Sequence, residues 1–122
     1  MTDNKHGFTL VEFLVAIVIL MVGMLGMLQA INVAMDKNLE NVFRSEAIMM
    51  ADERMMVVRV SPSVLAFSTM TTANIRGIFK NYSVIQTINQ PTVKTREINI
   101  RVGWRKKNFT YSHSVSSLIT TE

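Results

Sequence analysis

The sequence predicts an α+β fold: a long N-terminal helix, membrane-spanning in its first half, packed on a small three-stranded antiparallel sheet. Three observations carry this expectation. A nearly uncharged apolar run covers residues 8–28, an apolar recurrence at threes and fours continues from it to Val60, and the period changes to two near the C-terminus. With 122 residues there is room for one small domain. The 48% apolar content and net charge of only +4 exclude a disordered chain, and the absence of Cys excludes disulfides, thiolate metal sites and cysteine nucleophiles.

Charge divides the chain into three blocks. Residues 1–35 hold only Asp3, Lys5 and Glu12; residues 36–53 hold five acids and two bases; residues 54–122 hold ten bases and two acids. The positive excess therefore belongs to the C-terminal part.

The first element is the run from Phe8 to Leu28, FTLVEFLVAIVILMVGMLGML, with one charge. A bilayer-crossing helix needs about 20 such residues. A secretory signal would need an A-x-A-like cleavage site, and the candidates ending at Ala30 or Ala34 have Leu28 or Asn32 two residues upstream. A span is the favoured reading. Within it Glu12 stands out, because an ionised acid in a spanning helix costs roughly 2.5–3.5 kcal/mol and calls for a partner. At 100° per residue, Ala16, Gly23, Gly26, Ala30 and Ala34 fall within roughly 40° of Glu12, a small-residue face suited to close packing of helices in lipid. Met21, Met24 and Met27 read as flexible apolar filler.

The second element extends the first. Met35, Leu39, Val42, Phe43, Met49, Met50, Met56, Val57 and Val60 recur at helical spacing, and Pro62 disfavours helix at Ser61. A helix from Phe8 to Val60 would have about 53 residues and a length of about 80 Å. Asp36, Glu40, Glu46, Asp52 and Glu53 are expected on its solvated face.

Residues 61–81, rich in Ser, Thr and Asn, read as a loop with one helical turn around Ala73 to Lys80. A strand is expected from Tyr82 to Asn89, with Pro91 in the next connection. Ile98, Ile100, Val102 and Trp104 then alternate with polar residues and Gly103, as do Phe109, Tyr111, His113 and Val115. A four-residue loop from Arg105 to Asn108 is preferred over a tight Lys106-Lys107 turn, because Lys-Lys is unusual in primed turns. That register pairs Trp104 with Phe109, Val102 with Tyr111, Ile100 with His113 and Ile98 with Val115.

No catalytic grouping emerges. His113 is the one His after residue 7 and has no second ligand at metal spacing; there is no phosphate-cradling Gly loop and no Ser/His/Asp constellation. Neither a cofactor nor an enzyme is expected. A nucleic-acid surface is disfavoured, because Trp104, Phe109 and Tyr111 are already used for packing.

The segment Gly7-Phe8-Thr9-Leu10-Val11-Glu12, behind the polar leader MTDNKH, resembles the processing signal of type IV pilins and type II secretion pseudopilins. The resemblance implies that a prepilin peptidase cuts between Gly7 and Phe8 and that the new Phe8 amine is N-methylated. Gly7, lacking Cβ, would let the leader lie close in a protease cleft. The Phe8 amine is then a buried cation in a helix bundle, and Glu12 of an adjacent subunit is its expected counter-ion, drawing the subunit into register. The implied organisation is a leader at 1–7, a hydrophobic transmembrane and assembly half-helix at 8–35, an amphipathic half-helix at 36–60, and a small sheet-bearing region at 61–122.

The stretch VAIVILMVGMLGMLQA is similar to that of the PilV-type minor pilins, or type IV pilus modification proteins, with Met24 and Met27 where Leu is usual and Gly23 and Gly26 kept. Ile100-Arg101-Val102-Gly103-Trp104 is also like that group. Many major pilins have a Pro near the position of Gln29 and a C-terminal cysteine pair, and this chain has neither. The resemblance thus implies an accessory subunit that primes or assembles the pilus fibre, with a type II secretion pseudopilin and a DNA-binding uptake component as alternatives. Implied partners are the prepilin peptidase, other minor and major pilins, the inner-membrane assembly platform and membrane lipid. The expected location is the bacterial inner membrane, crossed once with the N-terminus cytoplasmic and the C-terminal region periplasmic, or the surface pilus.

Overall fold

A computed structural model describes residues 7–61 and 65–120. Most of the leader, residues 1–6, and Pro62 lie outside the described residues. One helix and four strands follow in order: α1 (Leu10–Val60), β1 (Phe67–Ile75), β2 (Ile78–Thr92), β3 (Thr95–Lys106) and β4 (Phe109–Thr120). The chain divides into two units, Met1–Leu39 and Glu40–Glu122.

The first unit holds the apolar part of α1. Its spanning window has a mean hydropathy of 2.6, and none of that window is buried. Gly23 and Gly26 do not interrupt the helix. The helix starts at Leu10, two residues later than expected, because Thr9 is its N-cap: the Thr9 carbonyl accepts the first intrahelical bond, from Phe13 N–H at 3.2 Å.

In the second unit a four-stranded antiparallel meander, in the order β1-β2-β3-β4, packs one face against the C-terminal part of α1. The expected count of three strands is therefore corrected to four. The residues read as a loop and a helical turn form β1, the Arg76–Gly77 turn and the start of β2. Thr69 and Thr71 on the inner face of β1 blur its apolar alternation, which is why composition suggested a loop. Arg76 and Gly77 both adopt positive φ (51° and 84°), as a type I′ hairpin requires, and the Asn74 Oδ1 accepts the Gly77 N–H at 3.0 Å. Pro91 lies inside β2 rather than in a connection, at the register shift between Asn89 and Thr92, where no regular ladder bond is needed.

The β3–β4 register also differs from expectation. A two-residue turn at Lys107-Asn108, with Lys107 at φ 54°, replaces the four-residue loop. Trp104 thus faces Tyr111, Val102 faces His113, Ile100 faces Val115 and Ile98 faces Ser117. Both registers keep the same residues on the same face, so alternation alone does not separate them. Phe109, expected against Trp104, is 68% exposed, and Tyr111 stacks on Trp104 instead, with centroids 5.8 Å apart at 18°.

The core joins small helix residues to large sheet residues. Phe43, Ala47, Ala51, Met55 and Val58 form the buried stripe of α1, against Tyr82, Val84, Gln86, Ile98, Ile100, Val102 and Trp104 from the sheet. Of the apolar residues expected to recur along this half of the helix, only Phe43 lies in the buried stripe; Met49, Met56, Val57 and Val60 are exposed. Alanine at 47 and 51 leaves the volume that the sheet side chains fill. Asp52 and Glu53 are solvated as expected, whereas Glu40 is half-buried and lies 3.7 Å from Lys106 Nζ.

Tyr82 joins the two layers. Its hydroxyl donates to the Phe43 carbonyl at 3.1 Å, and its ring lies 6.2 Å from that of Trp104. Burial pushes the phenol up, and the Glu46 carboxylate adds to the effect, from 10.0 to about 12. In a Tyr111→Phe variant, which leaves Tyr82 as the one tyrosine, alkaline absorbance titration of the folded chain is expected to place half-ionisation near 12. The unfolded phenol loses its proton near 10, so this contribution to stability is intact below pH 10 and is lost as pH rises through about 12. Replacing Ala51 by Leu overfills the seam, and denaturant titration in detergent should show a loss of about 1–3 kcal/mol.

Candidate functional site: the N-terminal end of the long helix

The head of α1 is organised by two reciprocal hydrogen bonds. Thr9 N–H donates to the Glu12 Oε2 at 3.0 Å, and Glu12 N–H donates to the Thr9 Oγ1 at 3.3 Å. This is a capping box: the N-cap side chain takes the N–H at the third helical position, and the acid there reaches back to the N-cap N–H. Two of the amide donors that every helix start leaves without an intrahelical partner are thereby satisfied. The carboxylate also lies where the positive end of the helix dipole stabilises it.

Glu12 therefore already has a local partner in the single chain, which its reading as an acid awaiting an external cation did not anticipate. The signal was legible as Thr9-x-x-Glu12 immediately before an apolar run. Gly7 and Phe8 precede the helix in non-helical backbone and are exposed, Phe8 at 81%. Among the described residues, no atom beyond its chain neighbours would meet a Cβ at Gly7 within 4 Å.

Ala16, Gly23, Gly26 and Ala30 share one side of the uninterrupted helix with Glu12, by helical phase, and all four are exposed. A Cβ added at Gly23 or Gly26 would meet nothing within 4 Å. Among the described residues, then, nothing is packed on the small-residue face.

Elsewhere the described residues contain no group of three His, Cys, Asp or Glu side chains that could hold a metal ion. His113 lies on β4 opposite Val102, half-buried.

Comparison with known proteins bears on this same end of the molecule. No curated protein and no solved structure matches the chain significantly. Residues 2–28 match the family model described as the prokaryotic N-terminal methylation motif, which spans the cleavage-signal residues, the capping box and the apolar helix through Leu28. That motif supports a prepilin-type, type IV pilin-like protein that is anchored in a membrane, is processed by a prepilin peptidase and assembles with other pilins.

Proposed function

We propose that the chain is a minor pilin of the PilV type, processed between Gly7 and Phe8 and acting in the priming and assembly of a type IV pilus. The observation that carries this reading is the methylation motif at the head of a helix whose apolar segment is not buried in the single chain. A segment of that kind must be covered by lipid or by other helices. In this reading residues 8–35 lie in the bilayer before assembly and against neighbouring helices afterwards, with Ala16, Gly23, Gly26 and Ala30 on the packing face. Residues 36–60 carry the sheet-bearing region, which lies on the far side of the membrane from the leader.

Glu12 acts at both stages. In the precursor its carboxylate closes the capping box; after cleavage the same carboxylate lies next to a chain terminus at Phe8 and pairs with the amine of a neighbouring subunit. The two roles separate chemically, because glutamine can close a capping box but carries no charge. Glu12→Gln is expected to be inserted and processed normally yet incorporated into filaments nearly as poorly as Glu12→Ala. If Glu12→Gln assembles at the wild-type level while Glu12→Ala fails, the acid acts only as a cap.

The overall reading is tested by mass spectrometry of sheared surface filaments and membranes from the same cells. A peptide beginning with N-methylated Phe8, present in filaments far below the major pilin, is expected. Processed chain confined to the membrane would favour a pseudopilin or a retained primer. A chain still beginning at Met1 beside an active peptidase would overturn the assignment of Gly7 and Phe8.

A further inference from the structure

Positive charge is unevenly placed on the sheet unit. Alternate connections of an antiparallel meander return to the same end, so the Arg76–Gly77 and Lys107–Asn108 turns share one end of the sheet. Continuing the β2–β3 register past Tyr82 and Trp104 brings Ile78 level with Asn108. The two tips therefore lie side by side, two strand spacings or about 10 Å apart. Lys80, Arg105 and Lys106 are within three residues of them. The opposite turn, at Val93-Lys94, has Glu97 among its neighbouring bases.

Each tip places a long cation in left-handed backbone, Arg76 at φ 51° and Lys107 at φ 54°. Glycine or asparagine would adopt that conformation at lower cost. Both side chains are exposed. A conformational cost accepted twice at one end, each time with a cation, indicates a use for charge at that end.

This is also the end at which the chain enters the unit. Lys106 Nζ lies 3.7 Å from the Glu40 carboxylate, and Lys80 Nζ lies 5.2 Å from the centre of the Phe43 ring. Five residues of chain separate Met35 from Glu40, a reach of at most about 18 Å. Where residues 8–35 occupy a bilayer, the reading proposed above and the one on which this inference rests, that short tether lets the entry end of the sheet unit reach the headgroups.

We propose that this basic end of the sheet docks on anionic phospholipid headgroups of the bilayer that holds the apolar helix, through Arg76, Lys80, Arg105 and Lys107. The contact keeps the unassembled subunit against the membrane surface. Incorporation into a fibre exchanges lipid phosphate for subunit neighbours at the same side chains.

The test is hydrogen–deuterium exchange of the full chain in nanodiscs of phosphatidylcholine, with and without phosphatidylglycerol. Amides of residues 76–78 and 105–109 should be protected by phosphatidylglycerol, those around residue 93 should not, and high salt should reverse the protection. Each cation near an anionic surface strengthens association about fivefold, so Arg76→Gln with Lys107→Gln should weaken the lipid-dependent protection by roughly 25-fold. Exchange at the tips that ignores phosphatidylglycerol would overturn the proposal while the spanning reading stands. A chain that does not co-elute with the disc would overturn the spanning reading and the docking with it. Tips protected by a DNA duplex but not by phosphatidylglycerol would assign this end to nucleic acid and overturn the lipid assignment.

Discussion

In hydrocarbon a backbone amide can bond only within its own segment, so an apolar run such as Leu10 to Met35 is stable there as an uninterrupted helix with its start satisfied. That requirement explains the local chemistry at the N-terminal end. Thr9 and Glu12 close the helix start with their own side chains, and Gly23 and Gly26 sit inside the helix without breaking it. Side-chain identity is then free to be spent on what covers the helix. Along one side it is small, and nothing among the described residues fills the space.

The part of α1 beyond Glu40 obeys a different condition, because it must bury one stripe against a sheet in water. The stripe through Phe43, Ala47, Ala51, Met55 and Val58 does this with two alanines at its centre, and the bulk is supplied from β2 and β3. Polar ties fix the arrangement: Tyr82 donates to the Phe43 carbonyl, and the Gln86 amide donates to the Leu65 carbonyl at 3.3 Å in the connection before β1. Cations over rings, Lys80 at Phe43 and Arg54 at Phe67, flank the same seam. The opposite face of the sheet shows mainly Ser, Thr and Asn with Arg101 and Arg105, and the inner side of β4 is only half covered.

In the proposed reading the carboxylate of Glu12 serves both a precursor and a product. A charged group without a partner in lipid would oppose insertion, and the capping box gives the carboxylate a local hydrogen bond from the Thr9 N–H at no cost in additional chain. Cleavage after Gly7 would create a cation one residue before the cap. The same carboxylate would then have a stronger, charged partner to choose.

By itself the sequence determined the helix and its end, the apolar run, and the inward faces of β3 and most of β4, because each of these is encoded by local periodicity or by contiguous residues. Alternation from Ile98 to Trp104 specifies a buried face whatever it pairs with, and a Thr-x-x-Glu before an apolar run specifies a cap. Tertiary structure alone decided what depends on a partner segment. Strand β1 was not legible because Thr69 and Thr71 make its inner face look polar until β2 pairs with it. The register of β4 was not legible because a shift of two residues leaves every side chain on its face, and only the tight turn at Lys107 chooses between them. The choice of Ala47 and Ala51 over the larger Met49 and Met56 for the seam rests on the volume of the facing sheet, and no helical periodicity carries that volume.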